Sequence, residues 1–500
     1  MTQRHIAVIG SGSAALCAGI AALEAGARVT VFEKAPAEEA GGNSRYTAGA
    51  MRFAYEGRED ILSLLAGCDD ERLAETDFGT YPRDRFAEDM LRFNGGDALN
   101  ELQRTLIDES YGTVEWLKGH NVLFDPIYSR QAFRKDGRFV FWGGLTLEAR
   151  GEGVGLVDAE LAEYVRLGGE IEYSADCCDL RVTGDRVTGV RLQTPAGEVT
   201  RAFDAVILGC GGFEASRDMR VQLMGDDWGR AKVRGTPHNT GAGIRMARSI
   251  GARLRGRPDG CHATPMDRDM PDFGNPDIPF IERKHYRKIC YFLGAMLNAR
   301  GERFVDEGEN FRNYTYAQFG RAILQQPGNV AWQFFDSKVT DLLYAEYRFR
   351  HATFYTAETL EDLVGQLDGI DGSRALQTLQ DFNHAVDDSR AFDPTVLDGR
   401  RTVGLDLDKT NWANALDTPP FLAYPVTCGI TFTYAGLDVS LSAEVRSESG
   451  VPIPGLYACG EMIGGIFVDG YPGGSGLTSG AVFGRIAGRS AALGDGQASV

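Results

Sequence analysis

Residues 4–34 read RHIAVIGSGSAALCAGIAALEAGARVTVFEK, and the order of features inside this stretch decides the fold. Ile6 to Ile9 is a short apolar run suited to a buried parallel strand. Gly10, Gly12 and Ala15 fill the three small positions of G-x-G-x-x-G/A. The first allows a sharp turn, the second lets a pyrophosphate approach the backbone, and the third lets a helix pack close to the strand. Ser13 to Ala25 predicts that helix, with Gly26 as its stop. Arg28 to Phe32 predicts a second strand, and Glu33 ends it where a ribose hydroxyl needs an acceptor. Strand, triplet, helix, strand and terminal acid in this order form a dinucleotide-binding βαβ unit.

A chain of 500 residues exceeds what one core organises, so two domains are expected, one inserted in the other. The net charge of −18 argues against nucleic acid or an anionic membrane surface as partner. An anionic substrate stays compatible with it if the site carries its own Arg and His. No apolar stretch is long enough to span a bilayer, and the first strand starts too early to leave room for a signal peptide. A cytoplasmic protein is expected. The nine cysteines show no C-x-x-C, haem-attachment or ferredoxin-like spacing, so electrons must enter or leave through another molecule. No residue spacing calls for a metal, and none is expected.

Further glycine-rich segments follow. Gly41 to Phe53, GGNSRYTAGAMRF, lies directly after the ribose-binding acid and suits a loop running over a flat polar ligand. About Ile61 to Leu123 reads mainly as helices, from apolar positions such as Phe86, Met90, Phe93 and Leu117. Leu156–Leu167 predicts an amphipathic helix, and strand-like runs follow at Ile171–Tyr173, Val187–Leu192 and Ala205–Leu208. The last of these enters the turn GCGGF, and His238–Ala247 opens another helix. Aromatic and charged residues rise from about Pro258 to Arg400, which reads as an inserted domain. The expected division is 1–257, 258–400 and 401–500, with the first and last parts forming one body. Gly455–Ala458 predicts a strand, and Leu477–Leu493 a closing helix with Gly480, Gly484 and Gly488 on one side for close packing.

Four separated motifs, GSGSAA with Glu33, GGNSRYTAG, GCGGF, and GLYACGEMIGG followed by YPGGSGLTSGAVFGRIAG, resemble the flavoprotein family of fumarate reductases, succinate dehydrogenases and 3-ketosteroid dehydrogenases. Asn298–Ala317 and Cys428–Leu437 are most similar to the tricarballylate dehydrogenase group. The resemblance implies an α/β fold, a doubly wound Rossmann-like FAD-binding domain with an inserted α+β capping domain. It implies FAD along Gly10, Gly12, Ser13, Ala14, Glu33, Lys34, Gly42, Asn43, Ser44, Thr47, Gly49, Gly211, Gly212, Asn239, Gly241, Gly460, Glu461, Gly474, Ser475, Leu477 and Thr478. The pyrophosphate would sit on the first helix N-terminus, and the pyrimidine edge of the ring on the start of the last helix. Succinate dehydrogenases attach FAD through a histidine in the loop matching Ser44–Gly49, and none occurs there, so the FAD is expected to be non-covalent.

The same resemblance places a proton-passing arginine at Arg312 and a substrate-binding histidine at His262. The alternative for Arg312 is an ion pair with Asp306 or Glu307. Two positions depart from fumarate reductases. The histidine before Thr433 is Phe432, and the carboxylate-clamping arginine is Tyr471, as in ketosteroid dehydrogenases, where this tyrosine donates to a substrate carbonyl. Thr433 itself is retained. Glu282–Lys288, ERKHYRK, offers His285 and Arg287 as carboxylate binders or else a solvated charged face. The function expected from this resemblance is transfer of hydrogen across a C–C bond beside a carboxylate or carbonyl, with tricarballylate oxidised to cis-aconitate. A cyclic ketone or enone is the alternative substrate, and a redox-inactive FAD-binding assembly or sensor subunit the alternative of another class. A separate electron acceptor, membrane-bound in the tricarballylate group, is the implied partner.

Overall fold

The computed structural model describes residues 3–65 and 67–494. His5–Ile9 is the centre of a six-stranded sheet. Across it the strands run Glu444–Arg446, Pro452–Ala458, Ala205–Leu208, His5–Ile9, Arg28–Phe32 and Glu170–Glu172. All neighbours are parallel except the Glu444–Arg446 edge. Ile6 lies against both Ala205 and Val29, so strands about 200 residues apart in sequence share one register. Ile6 to Ile9 is buried on both faces, which is why the run is continuously apolar rather than alternating.

The first helix is Ser13–Glu24, and Gly26 takes a left-handed φ of +86° beyond it. The closing helix is Ser475–Leu493, starting two residues before the expected Leu477. The two helices pack backbone to backbone. A Cβ on Gly484 would lie 2.5 Å from the Ala14 carbonyl oxygen, and one on Gly488 would lie 2.1 Å from that of Ala18. The small-residue stripe read from the sequence is therefore the seam between the first and last helices. No helix among the described residues is long and apolar enough to cross a membrane.

A second sheet is built around one thirteen-residue strand, Phe421–Thr433. It pairs antiparallel with Val330–Phe335, Tyr355–Ala357 and Cys261–Asp267, and parallel with Lys232–Val233. Ala295–Asn298 adds to its Val330–Phe335 side. This sheet overruns both positions, 258 and 400, where the composition changes. Its longest strand comes from beyond Arg400 and a short one from before Pro258, because strand pairing leaves no compositional mark. Helix Arg312–Leu324 lies on it so closely that a Cβ on Gly320 would be 2.4 Å from the Ala263 carbonyl carbon. Residues 61–123 hold three helices, Arg58–Leu64, Arg83–Leu91 and Glu101–Gly119, and Asp176–Ala202 forms an antiparallel three-strand meander of which the sequence showed only one run.

Gly488→Ala tests the helix seam. Alanine in a free helix gains about 1 kcal/mol over glycine, but overpacking against a backbone carbonyl costs about 1–3 kcal/mol. The melting temperature should fall by a few degrees, whereas Gly112→Ala, in a helix with nothing near its added Cβ, should not lower it.

Candidate active site

One continuous cleft runs from the first helix to the last. At one end Gly10, Gly12, Ser13 and Ala14 border it, and Gly10 has φ +100° with the Gly209 carbonyl 2.6 Å from where a Cβ would stand. Only glycine meets both conditions. Glu33 borders the same end. Its carboxylate accepts from the Ser11 N–H at 2.9 Å, the Ser11 hydroxyl at 2.5 Å and the Ala35 N–H at 2.7 Å. Three donors fix its orientation and leave acceptor capacity for a ribose hydroxyl. Lys34 also borders the cleft and pairs with Asp176 at 3.1 Å.

Beneath this loop lies Glu160, which sequence reasoning missed. The Ser13 hydroxyl donates to it at 2.7 Å, and complete burial pushes its carboxyl up to about 8. A protonated Glu160 puts no negative charge behind a loop built to receive an anion.

In the middle of the cleft, Gly42, Asn43, Ser44 and Thr47 meet Gly211, Asn239, Gly460 and Glu461. A second missed acid, Glu214, organises them. Its Oε1 accepts from the Asn43 amide at 2.6 Å and the Asn239 amide at 2.7 Å. Asn43 also donates to the Thr431 carbonyl and accepts from the Thr236 N–H, so one amide ties three segments. Burial pushes the Glu214 and Glu461 carboxyls up, and the neighbouring Glu461 pushes Glu214 further, so the pair holds a proton. Thr433 does not border the cleft. Its N–H and hydroxyl both donate to Glu461, at 2.7 and 2.9 Å, which makes it a support for that carboxyl. Gly49, Gly212, Gly241, Ser475 and Thr478 likewise sit behind the lining. Gly212 does so because a Cβ there would strike Glu461 and Thr433.

The far end gathers Gly474 and Leu477, where the last helix begins, with Tyr471, His262, Arg287 and Arg312. Arg312 opens helix Arg312–Leu324 and is 7 % exposed. No carboxylate among the described residues lies within 4.0 Å of it. Asp306 accepts from Thr410 instead, and Glu307 pairs with Arg303 at 2.5 Å. The ion-pair alternative is thereby corrected. The guanidinium donates to the Arg130 carbonyl at 3.3 Å and lies among Trp142, Tyr316 and Tyr344. Asn313 exchanges two amide hydrogen bonds with Gln131, pinning the helix start to the opposite wall.

Tyr316, one turn after Arg312 and unforeseen as a site residue, shares a 2.9 Å hydroxyl–hydroxyl bond with Tyr471. Burial and this neighbour raise the Tyr471 phenol well above its ordinary pKa, so it stays a donor. His262, opposite Phe432 in the strand register, packs edge-on against both rings. Neither of its ring nitrogens has a partner, and burial with the charges of Arg234 and Arg287 holds it well below the ordinary histidine value.

Most cations of the segment Glu282–Lys288 are committed to acids of this chain. Arg283 pairs with Glu39, Lys284 with Glu152, Arg287 with Glu346 and Lys288 with Asp267, each cation buried against an acid of this chain. His285 faces the Phe349 ring, away from the cleft. Of this segment only Arg287 borders the cleft. The basic run is explained by acids remote in sequence, which spacing alone does not reveal.

A profile described as FAD binding domain matches residues 5–477. The chain belongs to that family. It is 28% identical over 575 residues to the 4-oxocyclohexanecarboxylate 2-dehydrogenase of Sinomonas cyclohexanicum, covering 99% of this chain and 94% of the relative. It is 26% identical over 503 residues to a fumarate reductase (cytochrome) of Shewanella frigidimarina, covering 97% and 76%. A solved 3-ketosteroid delta1-dehydrogenase from Sterolibacterium denitrificans superposes with a TM-score of 0.74 at 19% identity, covering 99% of this chain and all of that one. The chain is an FAD-dependent oxidoreductase acting on CH–CH groups.

The residues present fit FAD. Two helix N-termini border one cleft, Gly10 provides a backbone cradle that a side chain would fill, and Glu33 retains acceptor capacity. In this flavoenzyme burial favours the protonated form of Glu160 and of the Glu214–Glu461 pair, and the cations at the far end of the cleft keep unused donors.

Glu160 carries a pH prediction. Its carboxyl ionises near 4.5 in the unfolded chain and near 8 when folded, so the folded state holds the extra proton between these values and stability falls as pH rises through that window. At ~1.4 kcal/mol per pKa unit, Glu160→Gln should stabilise the cofactor-free protein by a few kcal/mol at pH 8 and little at pH 5. Melting curves at both values check this, and an equal effect at the two would contradict it.

Proposed function

We propose that this flavoenzyme moves hydrogen across a C–C bond adjacent to a carboxylate, with tricarballylate and cis-aconitate as the substrate pair. One grouping supports the reading: Arg312 without an acid partner, His262 with two free ring nitrogens, and the Tyr316–Tyr471 hydroxyl pair all border the same buried cleft. The bound flavin supplies hydride acceptance and donation. The chain supplies positioning and proton handling. Arg312 holds a proton in a planar fork directed by the Arg130 carbonyl and the surrounding rings. Tyr471 donates to a substrate oxygen and stabilises negative charge developing there. Neutral His262 donates one hydrogen bond without adding charge.

A second reading, hydrogen transfer beside a ketone, draws on the Tyr316–Tyr471 pair alone. The Sinomonas relative is named for a substrate that carries both a ketone and a carboxylate, and such a molecule would engage both walls. FAD is held non-covalently in this proposal, the 258–400 segment caps the cleft, the setting is cytoplasmic, and electrons pass to a separate, membrane-bound acceptor.

Anaerobic mixing of the FAD-loaded protein with tricarballylate should bleach the flavin absorption, and cis-aconitate should restore it. Silence with both acids ends the polycarboxylate reading, and bleaching by a cyclic ketone alone installs the second one.

Arg312→Lys should keep FAD and most substrate affinity. Single-turnover flavin reduction should slow by about two orders of magnitude, the usual loss for a missing general acid or base. Near-native reduction would return Arg312 to a packing role.

A further inference from the structure

Arg234 is a buried cation with no counter-ion. It is 5% exposed and borders the cleft, and no carboxylate among the described residues lies within 4.0 Å. One terminal nitrogen donates to the Tyr46 carbonyl at a long 3.4 Å, and Nε has no partner. Its backbone is firmly placed. Lys232–Val233 pairs with Gly429–Ile430, and the Arg234 N–H donates to the Ile430 carbonyl at 2.8 Å. Cys261–Asp267 flanks the other side of the same strand and sets His262 opposite Phe432. The two neighbours of one strand thus put Arg234 and His262 on either side of Ile430–Phe432.

Other unused groups surround it. Arg287 is held by Glu346 at 2.5 Å, yet its Nε is unpartnered. The Thr431 hydroxyl and both His262 nitrogens are buried and unpartnered. All four residues border the cleft. The field of Arg287 and burial lower Arg234 to about 10, which still leaves it charged at neutral pH. An uncompensated buried guanidinium is strongly destabilising, and an anion that enters the cleft relieves it.

We infer that Arg234, seconded by Arg287 and by the unpartnered polar groups of His262 and Thr431, is the anchor for a carboxylate of the substrate. This rests on the cleft being the substrate site as proposed above, and it deepens that reading by naming the residue that holds the substrate's carboxylate. It also accounts for the two departures at Phe432 and Tyr471. The cation that the resemblance expects next to the last helix is supplied from a different strand.

The test uses FAD-loaded protein and reads ligand binding from perturbation of the oxidised flavin spectrum, so turnover is not required. The probes are tricarballylate and 2-cyclohexenone. Arg234→Gln should weaken tricarballylate at least tenfold, leave cyclohexenone affinity within twofold, and leave FAD content unchanged. Arg234→Lys, the variant that decides if the glutamine protein cannot be loaded, should weaken tricarballylate severalfold, with the neutral probe again unaffected. Native tricarballylate affinity in either variant overturns the proposal, as does no tricarballylate binding to the native protein. Loss of FAD from both variants would reassign Arg234 to the cofactor and equally overturn it. Arg234-dependent tricarballylate binding without flavin bleaching would uphold the anchor while ending the proposed function. Reoxidation of dithionite-reduced flavin by cyclohexenone, with no response to cis-aconitate and no binding of tricarballylate, would install the ketone reading and overturn the anchor.

Discussion

The contact between the first and last helices is the constraint from which the site follows. Gly484 and Gly488 let the backbone of Ser475–Leu493 rest on the carbonyls of Ala14 and Ala18. A side chain at either position would separate the helices by the width of a methyl group and open the cleft between their N-termini. Since Gly12–Ala14 and Gly474, Gly476 and Leu477 border that cleft, the seam fixes the distance between two sites of positive helix potential. A dinucleotide with a pyrophosphate at one end and a charge-accepting ring at the other needs just such a spacing. The chain folds its two ends together to provide it.

Charge inside the cleft runs against the charge of the whole chain. The protein carries −18 overall, yet burial drives Glu160, Glu214 and Glu461 towards the protonated form, and Glu461 pushes Glu214 further. Arg234, lowered to about 10, stays charged with no acid beside it, and Arg312 too has no acid within 4.0 Å among the described residues. Solvent screens the acidic surface over roughly 8–10 Å, while the low-dielectric interior preserves the field of the buried cations. An anionic ligand is therefore repelled weakly at a distance and attracted strongly once inside.

What the sequence disclosed was local. The strand, glycine triplet, helix and Glu33 are legible because their roles depend on spacing within thirty residues, and the structure keeps that order to within a residue at each boundary. Arg234, Tyr316, Glu160 and Glu214 were illegible as site residues because each acquires its role from a partner on a remote segment: Ile430, Tyr471, Ser13 and Asn43. The basic run Arg283–Lys288 misled for the same reason, since Glu39, Glu152, Glu346 and Asp267 neutralise it from four separate places. Thr433 is singled out because the resemblance to fumarate reductases retains it beside the departure at Phe432. Its hydroxyl instead fixes Glu461.

The replacement of a histidine and an arginine by Phe432 and Tyr471 changes the shape of the problem the site solves. Phe432, Tyr434 and Phe467 surround Tyr471 with rings, so that wall is largely aromatic, its polar atoms being the tyrosine hydroxyls and the neutral His262 ring beside them. A cation there would face this ring cluster and lose hydration without gaining an acid. Placed on the Lys232–Val233 side of the sheet instead, Arg234 stands beside Thr431 and within the field of Arg287, where polar groups already line the wall. The two walls then divide the work: cations and Thr431 hold charge, and the tyrosine pair holds an uncharged oxygen. A substrate that is anionic at one end and carbonyl-like at the other has only one orientation that satisfies both walls. That orientation, rather than affinity alone, determines which C–C bond is presented for hydrogen transfer.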